Sequence, residues 1–187
     1  AYHGYDIQAV ALDEMLRLHA RVDGNVTVGV LNGMDVTCLR VLEARVSHGV
    51  VQRAGMREPV HSSASGKALL AFLPDSILKA KLDGYVFERF TERTITDPEA
   101  FRRALLAVRQ AGFASNDREE YEHFNGIAAP IFNYLGEPIA VLNIWTAHAR
   151  HPLPTLLEWT EDLCATADRI SGLIGGMRPR LETLANR

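Results

Sequence analysis

Residues 61–74 read HSSASGKALLAFLP. A run of short side chains and a Gly-Lys pair lead directly into an apolar segment of helical character. The free N–H groups at a helix N-terminus, together with the positive end of its dipole, attract anions. Small residues ahead of such a helix let a ligand approach the backbone closely. A nucleotide-phosphate loop is excluded by spacing, because the GxxxxGK[ST] pattern needs Gly where His61 stands and a hydroxyl where Ala68 stands. A serine nucleophile of the SxxK type needs Ser where Ala64 stands, and no GxSxG elbow occurs in the chain. Two readings of Ser62-Ser63-Ala64-Ser65-Gly66 are left: a loop holding a carboxylate or similar anion, or a capped helix packed tightly with no ligand.

Other residue types with chemical potential name no reaction. His148 and His151 form HxxH, and Glu119 and His123 form an i, i+4 pair, but neither has the further ligands a metal site requires. The run Asp117-Arg118-Glu119-Glu120 has the character of a solvated turn. The segment PIAVLNIWT, residues 138–146, is more informative. Strand alternation puts Val141, Asn143 and Trp145 on one face and Leu142, Ile144 and Thr146 on the other. An Asn buried between apolar residues needs a hydrogen-bond partner, which a ligand or a neighbouring loop can supply. Trp145 offers a flat apolar wall and one N–H donor, or ordinary core packing.

These residues need elements to position them. The spacing predicts a helix over 5–21, then two β-branched runs over 25–44 flanking a hairpin turn at Asn32-Gly33. A short strand is expected at 47–53, and helices at Ser65–Phe72 and Asp75–Leu82. Asp97 as N-cap and Pro98 at the first helical position open a helix that Gly112 closes. Strands follow at 126–134 and 137–146, joined at Leu135-Gly136, and one long helix spans 154–174. The order predicts an α+β plan, an antiparallel sheet covered by helices.

The chain has 187 residues, 47% hydrophobic, enough for one domain with a substantial core. A formal charge of −3 does not suit a stand-alone nucleic-acid binder. Cys38 and Cys164 are far apart, so reduced thiols are expected rather than a disulfide framework. No apolar run is long enough to span a membrane, and no signal peptide opens the chain. The first residue is not Met, which suits a processed or excised piece of a longer protein.

PVHSSASGKALLAFLP, residues 59–74, resembles the signature of the effector-binding domain of the IclR family of bacterial transcription regulators. NDREEYEHFNGIAAPIFNYLGEPIAVLNIW, residues 116–145, resembles a second block of the same family: an acidic turn, an Ile-Ala-Ala-Pro strand, a Gly turn and a final strand. The resemblance covers about residues 5–177. It implies a GAF-like (profilin-like) fold, a curved antiparallel sheet flanked by helices, over residues 1–177, with a polar, frayed tail at 178–187. It implies a small organic acid as effector, neither cofactor nor metal, and no enzymatic activity. By the same resemblance the amides of Ala64 and Ser65 hold the carboxylate, while Asn116, Gly126, Asn143 and Trp145 complete the site. A cytoplasmic dimer or tetramer is implied, with DNA bound only through an N-terminal winged helix-turn-helix that is absent here. The chain departs from the family pattern at three places. Asn116 stands where some members have Asp, and Trp145 where some have a small hydroxyl residue, implying a smaller cavity or one that stacks a planar ligand. His123 stands where Gly is common and offers a cation near the site. The alternatives are a small hydrolase, for which Ser63 and Ser65 lack an assignable His or Lys partner, and a GAF-type sensor of another signalling protein, which the Gly-Lys-Ala block opposes.

Overall fold

A computed structural model describes residues 6–46 and 49–185. Helix α1 (Ile7–Arg21) starts at Asp6, whose carboxylate accepts from the Gln8 amide, and buries Ala11, Met15 and Leu18 along one stripe. Strands β1 (Asn25–Asn32) and β2 (Asp35–Leu42) form the expected hairpin. Its two-residue loop is Gly33-Met34, one position later than the sequence signal, because Asn32 pairs with Asp35 and Gly33 takes the positive φ of 66°.

The strand expected at 47–53 does not form over residues 49–53, and residues 47 and 48 lie outside the described part. Val50 and Val51 are exposed, and the free edge of β2 is taken instead by Gly55 and Met56, which bond Cys38, and by β3 (Arg57–Pro59). Helices α2 (Ala64–Ala71) and α3 (Asp75–Leu82) follow, and every residue of α2 is buried. Helix α4 (Pro98–Ala111) has the expected ends: Asp97 accepts from the Ala100 amide at 2.7 Å and Gly112 is left-handed.

Strand β4 (Ala114–Asp117) carries no alternation to betray it and forms by pairing along β5 (Phe124–Phe132). Strand β6 (Pro138–Ala147) completes the sheet. The long closing helix is two: α5 (Leu153–Leu157) and α6 (Thr160–Leu173). Tight turns, Glu158 N–H to Thr155 O and Trp159 N–H to Leu156 O, end α5, and the Trp159 indole lies edge-on to His151 at 5.3 Å. The tail is not wholly frayed, since Leu181–Ala185 forms α7 and Leu184 is buried.

The sheet is antiparallel in every pairing, with the order β3-β2-β1-β6-β5-β4, and it curls into a half-barrel. One face packs Val26, Val28, Leu142 and Ile144 against α1 and α6. The other packs Val36, Ala128 and Val141 against α2 and α4. This is an α+β, GAF-like architecture, and α2 points its N-terminus along the face that carries Asn143 and Trp145. Among the described residues no helix is long and apolar enough to cross a membrane.

Candidate ligand-binding site

The N-terminus of α2 is held in place by its own sequence. Ser63 is the N-cap: its hydroxyl accepts from the Gly66 amide at 3.0 Å and donates to Pro59 O at 2.8 Å. A Cβ on Gly66 would lie 2.2 Å from the Val60 Cα, so only Gly allows the helix to approach that backbone. The first intrahelical amide is that of Lys67, bonded to Ser63 O, which leaves the amides of Ala64 and Ser65 ahead of it.

Lys67 does not serve an anion. Its buried ammonium lies 2.7 and 2.9 Å from the two oxygens of Glu119. The run 117–120 is therefore not a solvated turn, since Glu119 is 8% exposed and tied to α2. Thr91 and Thr94 hydroxyls donate to the Glu119 carbonyl, and Arg118 adopts a left-handed φ of 60° at the bend. Asn116 Oδ1 accepts from the Glu119 amide at 2.8 Å and closes the same turn.

Strand register assembles the sheet side. Asn116 on β4 pairs with Gly126 on β5, and Gly126 with Trp145 on β6, so the three form a cross-strand row. Gly126 leaves room in the middle of that row: a Cβ there would stand 3.4 Å from Asn143 Oδ1. The result is a cavity of about 170 Å³ lined by Ala64, Asn116, Gly126, Asn143 and Trp145. Ser65 lies behind this lining, buried, with its hydroxyl bonded to the Glu58 carboxyl. Trp145 does not close the cavity; its indole N–H donates to Gln52 and its ring stands edge-on to Phe124 at 5.3 Å. Asn143 is 5% exposed, and among the described residues its Oδ1 has no hydrogen-bond partner.

Several lining residues had no legible signal in the sequence. Glu58, Glu120, Tyr121, Phe124 and Asn125 all reach the cavity. Burial pushes the Glu58 carboxyl above its usual range, and burial together with the Glu58 charge pushes Glu120 up to about 8. Asn125 donates to His148 and to His151 O, while its own Oδ1 is buried and unpartnered. His123 is exposed and does not line the cavity, so the extra cation expected there is not supplied.

The other candidates disperse. His148 bonds Asn125 while His151 lies 2.8 Å from Asp23, so HxxH does not converge on one point. Among the described residues no group of three or more His, Cys, Asp or Glu is placed to hold a metal. Among the described residues neither serine near the cavity has a His or Lys partner: Ser63 caps α2, Ser65 faces Glu58, and both nitrogens of His61 are taken by Tyr85 and by Glu88 O.

A family model described as the C-terminal part of the bacterial transcriptional regulator IclR matches residues 1–172. The transcriptional regulator XynR of Escherichia coli is 29% identical over 170 residues, which are 91% of this chain and 68% of that protein. The solved C-terminal domain of the E. coli transcriptional regulator KdgR superposes with a TM-score of 0.81 at 30% identity, over 91% of this chain and 99% of that one. The inducer-binding domain of the Acinetobacter transcription factor PobR, solved as a double mutant with 3-hydroxybenzoic acid, superposes with a TM-score of 0.80 at 27% identity, over 89% of this chain and 98% of that one.

Proposed function

The chain belongs to the family of IclR C-terminal domains of bacterial transcriptional regulators, and from that premise we propose that it is an effector-binding domain that senses a small organic acid in the cavity between α2 and the sheet. The observation that carries the reading is a pairing of unmet groups at one place. Ala64 lines the cavity at the α2 N-terminus, where its own amide and that of Ser65 just behind it are uncommitted, and Asn143 presents a buried carboxamide whose oxygen no described group completes. A carboxylate satisfies the amides and the helix dipole together. The cavity is smaller than the roughly 300–1,000 Å³ of drug-sized sites, which suits a metabolite. The acid bound to PobR supports the ligand class.

In this reading Ala64, Ser65, Asn116, Gly126, Asn143 and Trp145 form the site, and neither a cofactor nor a catalytic group takes part. The hydrolase reading has no support of this kind, since Ser63 and Ser65 are committed elsewhere. DNA contact belongs to a part of the protein outside this chain, and the working location is the cytoplasm. The ligand acts by its differential affinity for alternative arrangements of a self-associated domain, a dimer or a tetramer.

The test is a thermal-shift and calorimetric screen against small aliphatic and aromatic carboxylates, repeated on Ala64→Pro. Ser63 is extended (φ −110°, ψ 148°), so Pro fits at position 64 while deleting one amide and placing its ring where the donor was. A saturating acid at about 100 times its Kd stabilises the native chain by about 2.7 kcal/mol, a rise of several degrees. The variant should fold and lose that rise. A folded variant that binds the acid normally would falsify the helix-terminus site.

A further inference from the structure

The wall facing the α2 N-terminus is rich in acceptors and poor in cations. Glu58 on β3 and Glu120 in the β4–β5 turn line the same cavity, and burial together with the Glu58 charge makes Glu120 resist ionisation. Among the described residues no cation is paired with either acid. Lys67 is committed to both oxygens of Glu119. Arg57, also at the cavity, is largely exposed and shares its charge with Asp35 at 3.9 Å. Tyr121, Glu120's hydrogen-bond partner, carries no charge at neutral pH. Asn125 and Asn143 add two buried oxygens without donors. Against this acceptor-rich wall stand three aromatic rings: Tyr121 and Phe124 at 6.2 Å, Phe124 and Trp145 at 5.3 Å.

We propose that the ligand is a zwitterion, with its carboxylate on the amides of Ala64 and Ser65 and an ammonium group between Glu58 and Glu120, against the Tyr121, Phe124 and Trp145 rings. The carboxylate half rests on the function proposed above; the ammonium half rests on the acids, the orphaned oxygens and the rings. An ammonium group brings three N–H donors and one positive charge, so it answers two carboxylates and a neighbouring carboxamide oxygen at once. Its charge also meets the faces or edges of aromatic side chains, a setting in which ammonium ligands are recognised. A hydroxyl donates a single hydrogen bond and leaves one of the acids unanswered. A plain carboxylate brings neither a donor nor a positive charge to this end, so it leaves the two orphaned carboxamide oxygens unanswered. Since the carboxyl pair retains a proton near neutral pH, an incoming ammonium releases that proton to solvent.

The experiment compares matched probes on the 187-residue chain. Glycine, β-alanine and γ-aminobutyrate are set against acetate, propionate and butyrate, by melting shift and by calorimetry in buffers of different ionisation enthalpy. At least one amino acid should bind tighter than its deaminated counterpart by on the order of tenfold or more, with proton release at neutral pH. Glu120→Gln and Glu58→Gln should each collapse that ratio, whereas Ala64→Pro should weaken both series and preserve the ratio. Deaminated acids that bind as tightly as the amino acids, in the native chain and in Glu120→Gln alike, overturn the zwitterion and leave the carboxylate site standing. Binding by neither series overturns both.

Discussion

Asn143 sits mid-strand in β6 between two apolar neighbours, at 5% exposure and with its oxygen unpartnered. Such a group is expensive to keep without function, since a buried acceptor left unsatisfied costs about 1–3 kcal/mol. Asn143→Leu removes that penalty in the ligand-free chain while deleting the contact a ligand would make. The expected outcome is a melting temperature no lower than that of the native chain, together with acid binding weakened by tenfold or more on the same ~1–3 kcal/mol scale. Parallel melting and titration check both halves. A destabilised variant with unchanged affinity would place Asn143 in the scaffold and not in the site. Gly126 is legible in the same way: with a Cβ held 3.4 Å from Asn143 Oδ1, the absent side chain is what keeps the cavity open.

Helix α2 is the element on which the proposed site depends, and it is fixed at three points. Ser63 and Gly66 set its N-terminus against Val60. Arg109 from α4 donates to Ala71 O at 2.6 Å and Leu73 O at 3.2 Å, satisfying carbonyls at its C-terminal end. Lys67 and Glu119 cross-link its body to the turn that carries Glu120. A buried ion pair is weak as a source of net stability but severe when broken, because the survivor is an uncompensated buried charge. Glu119→Gln is therefore expected to cost about 3–5 kcal/mol. The double variant Lys67→Met with Glu119→Leu should recover most of that loss. Denaturant unfolding of the single and double variants measures it. A mild single variant would mean that Lys67 finds water or another partner, and that the pair does not hold α2 in place.

At the scale of the whole molecule the acidic groups around the cavity give stability a pH dependence. Glu120 has a folded-state pKa near 8 against about 4.3 for an unperturbed Glu, so the folded chain binds more protons than the unfolded one between those values. Its contribution to stability is present below the unfolded value and is lost as pH rises toward about 8. Glu58 and Glu119 shift in the same direction, both chiefly through burial. His61 works the opposite way: burial holds its pKa down, so its folded state is penalised as pH falls below about 6.5. The Glu120 effect is therefore isolated by difference. The melting temperature of Glu120→Gln minus that of the native chain should be near zero at about pH 5 and grow up to about pH 8. A difference independent of pH would mean that neither burial nor the Glu58 charge acts on Glu120.

Local physics made much of this molecule legible without coordinates. The caps at Asp97 and Gly112, the turn at Gly33 and the alternation of β6 depend on a few adjacent residues, so their signals are complete within the chain. The geometry of the helix start before Gly66, on which the proposed anion site rests, is local in the same sense, because a helix N-terminus carries its own free amides. The family resemblance added Asn116, Gly126, Asn143 and Trp145, and the strand register brings them to one cavity. What only the tertiary structure decided is whatever depends on a distant partner. Lys67 and Glu119 are 52 positions apart, and neither residue type reveals that the other neutralises it. Glu58 acts on Glu120 only when β3 and the β4–β5 turn close on one cavity. Strand β4 is a strand only because β5 offers its edge, whereas Val50 and Val51, with strand-like side chains, find no edge and stay exposed. Charge and edge pairing are long-range in the chain and short-range in space, and the fold alone brings the partners together.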